Sequence, residues 1–229
     1  MDDYSQPATL RGYLSLRREQ PDWFCNRAGG IEILTRVEDI QAAREAARAM
    51  RASEGLDVDD LRTGVLARDP YMTVLRDAVR FPDGTLGLYN RIVELCCVAV
   101  LPLLGSRLVL VKIFRHGLRD WSLEFPRGGC DPNETPEEAA RRELYEEIEA
   151  NVLELIPLGT FSPGGSSLSI RAELFAARVE GIGRPDRGDG ISEIRVFDTT
   201  EVEEQIRSSR IIDGFTLATF LRARLAGIV

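Results

Sequence analysis

The sequence predicts an α/β domain with a mixed β-sheet, preceded by a mostly helical N-terminal extension. Three observations support this fold class: residues 1 to about 66 have mostly helical patterns, apolar runs of strand length begin near residue 71, and helical segments separate those runs. Strands interleaved with helices are typical of an α/β architecture. We therefore expect an N-terminal extension over residues 1–66 and the main domain over residues 67–229.

The N-terminal extension is predicted to contain two helices. Residues 40–52 are rich in alanine and arginine, and Glu38 and Asp39 lie near their start, where the helix dipole favours negative charge. Residues 59–66 are interpreted as a second, shorter helix.

The main domain begins with a predicted β-hairpin. Residues 71–80 form its first strand, Pro82-Asp83-Gly84-Thr85 the turn, and residues 86–93 its second strand. Further strands are predicted at residues 93–104, 108–114, 155–161, 172–179 and 194–197. Helices are predicted at residues 135–148, 201–206 and 215–225, and a loop rich in glycine, proline and aspartate at residues 181–190.

The composition is that of an ordinary globular protein and argues against several functional classes. Of the 229 residues, 44% are apolar and 29% are charged, which is sufficient for a buried core. The net charge of −8 argues against nonspecific nucleic-acid binding, and no apolar run has the length of a membrane span. The four cysteines have no zinc-site spacing. We expect a cytoplasmic protein that binds neither nucleic acid nor membrane.

The helix predicted at residues 135–148 has strong start signals and an acidic face. Thr135 is a favourable N-cap, Pro136 suits the first helical position, and Glu138 completes a capping box. At about 100° per residue, three further glutamates fall within an arc of roughly 100°; they are Glu143, Glu146 and Glu147. Carboxylates are ligands for Mg²⁺ or Mn²⁺, so this face is either a divalent-metal site or a solvated acidic surface.

A longer pattern of spaced residues surrounds this helix. Its members are Gly128, Glu134, Arg142, Glu143, Leu144, Glu146 and Glu147. The pattern resembles the Nudix box, G-x5-E-x7-R-E-U-x-E-E-x-G-U, in which U is a bulky aliphatic residue. The resemblance implies a Nudix hydrolase with an α/β/α sandwich.

The resemblance also implies roles for individual residues. The metal ligands, for Mg²⁺ or Mn²⁺ as cofactor, would be the helical carboxylates of Glu143, Glu146 and Glu147. The backbone carbonyl of Arg127 is expected to contribute a further ligand. Glu146 and Arg142 are expected to take part in catalysis, and Gly128 to lie against the substrate.

Two positions depart from the box. Its last glycine is Glu149 here, and its final aliphatic residue is Ala150. The glycine normally ends the helix in a left-handed conformation, which costs a residue with a Cβ roughly 1–2 kcal/mol. Either Glu149 is strained, or the helix continues and Asn151 ends it.

Four short features resemble the ADP-ribose pyrophosphatase branch of this family, over roughly residues 71–226. They are Pro82-Asp83-Gly84, Arg115, Trp121-Ser122-Leu123-Glu124 and Ser162-Pro163-Gly164. Arg115 is either a phosphate clamp, because its guanidinium is a planar fork, or one half of a surface ion pair. The resemblance places Pro163 and Gly164 at the substrate, whereas Trp121 is interpreted as a core residue.

This branch usually takes its general base from an acidic loop late in the domain. Residues 185–193 form that loop here, with Asp186, Asp189 and Glu193 as candidates. We favour Glu193, because the apolar residues that follow it at 194–197 are suited to anchor it in a strand. The alternative is that these acids are solvated loop charges.

The resemblance predicts a metal-dependent enzyme that hydrolyses a nucleoside diphosphate sugar, with ADP-ribose giving AMP and ribose 5-phosphate. Its expected partners are the small-molecule nucleotide sugar and a second copy of the chain, since enzymes of this branch are often homodimers. Two alternatives stay open: hydrolysis of a UDP- or GDP-sugar, and a Nudix-fold sensor that binds a nucleotide without cleaving it. Glu149, and the absence of an acid at residues 165–169 after the Ser-Pro-Gly turn, motivate the sensor.

Overall fold

The computed structural model describes residues 8–94 and 96–229, which form two compact units. The first unit contains the described residues up to Glu94 together with Ser166–Ser169. The second unit contains residues 96–165 and Ile170–Val229. This division lies at residues 94 and 95, whereas the sequence placed the start of the main domain at residue 67. Residues 1–7 of the predicted extension, and residue 95 of the predicted strand 93–104, lie outside the described residues.

The first unit packs helices against a four-stranded sheet. Its helices are α1 (Ala8–Glu19) and α2 (Val37–Ser53), with a 3₁₀ turn at Pro21–Phe24. Its strands are β1 (Glu32–Ile33), β2 (Gly64–Arg68), β3 (Met72–Arg80) and β4 (Leu86–Glu94). Strand β3 pairs along its length with β4, and over separate parts with β2 and β1, in each case antiparallel.

A buried polar network joins α1 to this sheet. The hydroxyl of Tyr13 donates a hydrogen bond to the carboxylate of Asp77 on β3, and Nε of Arg91 on β4 donates to the same carboxylate at 2.5 Å. Nη1 of Arg91 also donates to the carbonyl of Trp23 at 2.9 Å. Asp77 is 1% exposed, so the arginine neutralises a carboxylate that would be costly to bury alone.

The predicted hairpin of residues 71–93 is confirmed by β3 and β4; of two other predictions near it, the helix at residues 59–66 is wrong and the strand at residues 93–104 is confirmed only from Cys97 onwards. Residues 59–66 do not form a helix, because Asp57 and Asp60 accept hydrogen bonds from backbone amides two residues further on, and such local turns compete with helix. The predicted strand 93–104 is interrupted, since Val93 belongs to β4 and the next strand begins at Cys97.

The second unit contains a seven-stranded sheet and three helices. Its strands are β5 (Cys97–Leu104), β6 (Arg107–Arg115), β7 (Asp120–Glu124), β8 (Arg127–Gly129), β9 (Val152–Phe161), β10 (Ala172–Val179) and β11 (Ile191–Phe197). Its helices are α3 (Pro136–Ile148), α4 (Thr199–Arg207) and α5 (Gly214–Leu225). The sheet order is β11-β6-β5-β10-β9, with β7 paired to β6 and β8 to β5. Strands β5 and β10 are parallel, whereas the other strand pairs of this sheet are antiparallel, so the sheet is mixed.

Helices cover both faces of this sheet. Along β5, Val98 and Val100 belong to the core on one face, whereas Ala99 and Leu101 belong to the core on the other. Successive strand residues point to opposite faces, so the alternation separates two helical layers. The helical members of these cores include Leu144 and Ile148 from α3 on one face, and Val202 from α4 with Phe220 and Ala223 from α5 on the other. The predicted α/β/α sandwich is confirmed.

The predicted helices of this unit are confirmed to within two residues as α3, α4 and α5. Strands β9 and β11 begin three residues earlier than predicted. The short strands β7 and β8 were missed, because their definition depends on pairing with β6 and β5 rather than on a long apolar run. In the part of the chain that the structure describes, no helix is long and apolar enough to cross a membrane.

Candidate active site

Helix α3 begins as its sequence signals predict. The side chain of Thr135 accepts a hydrogen bond from the amide of Glu138 at 3.3 Å, and the carboxylate of Glu138 accepts one from the amide of Thr135 at 2.9 Å. Leu144 is buried in the core, which places its neighbours Glu143 and Glu147 at the edge of that core, 8% and 3% exposed. Two of the three predicted ligands are therefore largely removed from water.

Gly128 on β8 lies directly against Glu143. A Cβ built on Gly128 would stand 2.1 Å from Cδ and Oε1 of Glu143. A larger residue at position 128 would displace the carboxylate of Glu143, so the glycine makes room for that side chain. Because β8 pairs with β5, the sheet sets the position of this glycine relative to the helix.

Glu147 is a buried carboxylate with an unsatisfied oxygen. Among the described residues, nothing forms a hydrogen bond with its Oε2. Burial, followed by the charge of Glu143, raises the pKa of Glu147 to about 8, although the charge of Arg115 and a backbone hydrogen bond from Arg127 oppose the shift. Burial also raises the pKa of Glu143.

Arg142 joins the turn before α3 to the carboxylates on it. Its guanidinium forms a bidentate pair with Glu134, with two N–O distances of 2.9 Å. Its Nη1 donates to Glu143 at 2.7 Å and to Glu146 at 2.8 Å, and its Nη2 donates to the carbonyl of Gly129 at 2.7 Å. The hydrogen bond with Glu134 is foremost among the contacts that raise the pKa of Arg142.

The chemistry of these side chains fits a hard divalent cation. Glu147 offers an unsatisfied oxygen, and the backbone of Arg127 lies next to it. Across residues 8–94 and 96–229, however, no three acidic, histidine or cysteine side chains are grouped as a metal site. Glu143 and Glu146 are instead held by Arg142. Arg142 contacts Oε1 of Glu143 and Oε2 of Glu146, so the second oxygen of each carboxylate can meet a cation while the arginine stays in place.

Arg115 is engaged in an ion pair rather than turned freely towards a phosphate. Its Nε donates to both oxygens of Glu124 at 3.1 and 3.0 Å, and its Nη2 donates to Oε2 at 2.5 Å. Glu124 is 1% exposed and also accepts a hydrogen bond from Nε of Arg127 at 3.1 Å. Burial is the largest influence and raises the pKa of Glu124, but the hydrogen bonds and charge of Arg115, with the charge of Arg127 and a hydrogen bond from Ser122, together outweigh it, so the net shift is downward. The predicted ion pair is thus present, but it is partly buried rather than superficial.

The register of the sheet aligns the Ser-Pro-Gly turn with the box. One row of paired residues crosses four strands and consists of Phe161, Ala172, Cys97 and Gly129. Pro163 and Gly164 follow this row directly, at the end of β9. The structure therefore brings both residues to the end of the sheet that carries Gly128.

Trp121 is not a core residue, which corrects the interpretation from sequence. It is 47% exposed on β7, where its ring makes an edge contact with Phe114 at a centroid distance of 5.5 Å. Nζ of Lys112 lies 5.5 Å from the centre of the same ring. Trp121 belongs to neither core of this unit, whereas Leu123 on the same strand belongs to one of them.

The structure separates Glu193 from the other candidate bases. Glu193 lies on β11, where it pairs with Arg195 at 2.5 Å and with Lys112 at 3.6 Å. The hydrogen bond from Arg195 is the leading cause that lowers the pKa of Glu193. A carboxylate with a lowered pKa is a weaker proton acceptor.

Asp189 and Asp186 lie on the loop that faces α3. The charge of Asp189 contributes to the raised pKa values of Glu143 and Glu147, so it lies within electrostatic reach of both. Asp186 lines a cavity of about 580 Å³ together with Glu146. The structure therefore brings these two loop acids to the acidic face of the helix.

Glu149 ends α3 in the strained conformation. Its φ is 49° and its ψ is 36°, so it is left-handed, and its amide donates to the carbonyl of Tyr145 at 2.9 Å. The helix does not continue to Asn151. Of the two possibilities that the sequence left open, the strained glutamate is observed, at a cost of roughly 1–2 kcal/mol.

Comparison with known proteins matches this unit to a described family. The family model of the NUDIX domain matches residues 96–215, slightly more than half of the 229 residues. A crystal structure of an ADP compounds hydrolase superposes with a TM-score of 0.64 at 22% identity, covering 73% of this chain and 94% of that one. The superposition shows that the two proteins share a fold.

Curated relatives match over parts of their length. The chain is 28% identical over 120 residues to the ADP compounds hydrolase NudE of Escherichia coli, covering 52% of this chain and 64% of that protein. It is 35% identical over 104 residues to the ADP-sugar pyrophosphatase of Mus musculus, covering 41% and 48%. The chain thus spans less than two thirds of the length of these two relatives.

A third relative shows how little a short match says about the substrate. The RNA pyrophosphohydrolase of Aeromonas hydrophila is 59% identical over 34 residues, covering 15% of this chain and 18% of that protein. Proteins with different named substrates therefore share short stretches with this chain.

Proposed function

The chain belongs to the NUDIX family, and on that premise we propose that it uses a divalent cation to hydrolyse the pyrophosphate bond of a nucleoside diphosphate sugar. With ADP-ribose, the products would be AMP and ribose 5-phosphate. Similarity to proteins named ADP compounds hydrolase and ADP-sugar pyrophosphatase supports this substrate class.

The observation that carries the proposal is the unsatisfied Oε2 of the buried Glu147. Buried polar groups in proteins nearly always have a partner, so an orphaned carboxylate oxygen calls for an explanation. Here it lies beside Glu143, whose charge also raises the pKa of Glu147. A bound cation would supply the missing partner and favour the ionised form of both carboxylates.

We assign Mg²⁺ or Mn²⁺ to Glu143, Glu146 and Glu147 with the backbone carbonyl of Arg127. When bound, the cation supplies positive charge against the pyrophosphate and makes water more acidic. Arg142 holds Glu143 and Glu146 on one side of the helix, and its bidentate pair with Glu134 fixes the arginine itself.

The chain's own residues supply the remaining steps. Water adds to one phosphorus, the bridging oxygen leaves with the other phosphate, and the proton of the water passes to a carboxylate. We propose Asp189 as that carboxylate, because it acts electrostatically on Glu143 and Glu147, whereas Glu193 is paired with Lys112 and Arg195.

Substrate would bind at the end of the sheet where the box lies. We propose that Gly128, Pro163 and Gly164 border the substrate there, as the shared sheet register supports. Arg115 would contribute positive charge beside the pyrophosphate, since its charge already acts on Glu147.

The test is a hydrolysis screen with ADP-ribose, other ADP-sugars, UDP- and GDP-sugars and dinucleotides, with Mg²⁺ and with a chelator. We expect ADP-ribose to be cleaved in the presence of Mg²⁺ and to stay intact with the chelator. Glu147→Gln should lower turnover at least about 100-fold, because even residues that only support a metal ligand contribute 10- to 100-fold. Circular dichroism should show an unchanged fold. Equal rates for Glu147→Gln and the parent at saturating Mg²⁺ would remove Glu147 from the mechanism.

The same screen separates the two alternatives. Preferential cleavage of a UDP- or GDP-sugar would identify a hydrolase of another nucleotide sugar. Two observations favour the nucleotide sensor: Arg142 holds two of the expected ligands, and Glu149 replaces the usual glycine. Binding of ADP-ribose with Mg²⁺, without any product after long incubation, would support that sensor.

A further inference from the structure

The residue that departs from the Nudix box contacts the loop of residues 181–190, called here the late loop. A Cβ built on Gly183 would stand 2.1 Å from Oε2 of Glu149 and 2.7 Å from its Cβ. The amide of Arg184 donates a hydrogen bond to Oε2 of Glu149 at 3.1 Å. The side chain of Glu149 therefore lies directly against the backbone of the late loop.

Two backbone hydrogen bonds join the same loop to the end of α3. The amide of Gly183 donates to the carbonyl of Ile148 at 2.8 Å, and the amide of Asp186 donates to the carbonyl of Glu147 at 3.1 Å. The last carbonyls of a helix have no partner inside it, so the late loop supplies partners for two of them. The contact with Arg184 adds a third bond, and it is one that a glycine at position 149 could not form.

The late loop carries groups that face the acidic helix. Asp186 accepts a hydrogen bond from the amide of Gly188 at 2.7 Å, and its carbonyl accepts one from Ile191 at 3.1 Å. Both bonds tie residues on either side of Asp189 to Asp186. The position of Asp189 therefore depends on the position of Asp186. Arg184 and Arg187 from the same loop line the cavity of about 580 Å³ with Glu149.

We propose that Glu149 is a positioning residue whose carboxylate holds the late loop, and with it Asp189, against helix α3. The role of Asp189 rests on the proposed hydrolysis, whereas the contact between Glu149 and the loop does not. A left-handed residue with a Cβ is unfavourable, and the contact with the loop offsets that cost here. Substitution by the family's glycine would relieve the backbone and release the loop together.

Hydrogen exchange of the full chain without substrate tests the contact directly. We compare Glu149→Gly, Glu149→Gln and Ser209→Gly, since Ser209 is a second left-handed residue, with φ 56°, at an exposed helix end away from the late loop. Glu149→Gly should speed exchange of the Arg184 amide about tenfold, as loss of a hydrogen bond to a charged group predicts. Glu149→Gln keeps an accepting oxygen and Ser209→Gly changes only backbone strain, so both should exchange at the parental rate.

Kinetics on the substrate identified by the screen test the positioning role. Glu149→Gly should lower kcat several-fold with KM nearly unchanged, and Glu149→Gln should restore it. The melting temperature of Glu149→Gly should not fall below that of the parent, because the strain is relieved. A merely structural residue would instead show losses of activity and stability together.

Each outcome decides the proposal. Parental exchange in Glu149→Gly, or fast exchange in Glu149→Gln, would overturn the contact. Faster exchange with an unchanged kcat would overturn the positioning role. If the parent cleaves nothing in the screen, the proposed hydrolysis fails, and exchange alone decides whether Glu149 holds the loop.

Discussion

Glu147 and Glu124 are both buried carboxylates, yet their surroundings shift their pKa values in opposite directions. Burial and the neighbouring Glu143 raise the pKa of Glu147 to about 8. Burial is also the largest influence on Glu124, but the hydrogen bonds and charge of Arg115, together with the charge of Arg127, outweigh it and lower the pKa of Glu124. Two buried glutamates thus differ in their partners: Glu124 is hydrogen-bonded to arginines, whereas Oε2 of Glu147 has no partner among the described residues, and this difference is why we propose Glu147 as a cation ligand.

Replacing Glu124 tests its part in stability. Glu124→Gln should destabilise the fold by about 1.5–3 kcal/mol at pH 7, because hydrogen bonds between charged groups with Arg115 and Arg127 are lost. The folded pKa is lowered, so the stabilisation is present above the ordinary value of 4.5 and disappears as pH falls through the folded value. Denaturant midpoints of parent and variant should therefore converge at acid pH.

A matched control is Glu154→Gln, which removes an exposed pair with Arg178. Its free energy of unfolding should change by less than about 1 kcal/mol, so its midpoint should stay close to that of the parent. A Glu124→Gln midpoint equal to that of the control at pH 7 would show that the buried pair contributes nothing to stability.

The identity of the general base is a second prediction at the scale of residues. Asp189→Asn should lower kcat about 100-fold, within the usual range for loss of a general base. Glu193→Gln should stay within about threefold of the parent, because its partners Lys112 and Arg195 already stabilise its charge. Steady-state rates on the best substrate decide between them, and the opposite ranking would restore Glu193 as the base.

At the scale of elements, α3 is defined by strong signals at both ends. A reciprocal capping box fixes its start at Thr135, and a left-handed Glu149 fixes its end. Between them, the core side of the helix holds Glu143 and Glu147 against β8. The residues at which α3 begins and ends therefore determine which of its carboxylates face β8.

The N-cap of α3 can be tested alone. Thr135→Ala should destabilise the protein by about 1 kcal/mol and lower its melting temperature by roughly 2–4 °C, because the capping hydrogen bonds are lost. Thr200→Ala, in the first turn of α4 and exposed, is the control and should stay within about 0.5 kcal/mol of the parent. Calorimetry on both variants measures the difference, and equal melting temperatures would mean that the capping box contributes no stability.

At the scale of the whole molecule, the described chain contains two units. The first has one buried hydrophobic cluster, and the second has two, one on each face of its sheet. The family model matches residues 96–215, which lie in the second unit except for Ser166–Ser169, and the expected homodimer stays a prediction. Light scattering over a dilution series should give twice the chain mass of 25.5 kDa at micromolar concentration. The mass of a single chain at every concentration would contradict it.

Much of the second unit was predictable because its signals are local. Capping residues, helical spacing and turn glycines act over a few positions, so the sequence by itself determined α3, α4, α5 and the long strands. It also determined the spacing of the box, from which the family followed. The short strands β7 and β8 were not predictable, since they exist only through their partners.

Only the tertiary structure decided which residues of the candidate site contact one another. The contact between Glu149 and Arg184 spans 35 residues of sequence, and the hydrogen bonds between Arg115 and Glu124 required β6 and β7 to pair. The exposure of Trp121 and the orphaned oxygen of Glu147 likewise depend on which surfaces the rest of the fold covers. Local propensity carries no information about such distant neighbours, because burial and pairing arise only once the chain has packed.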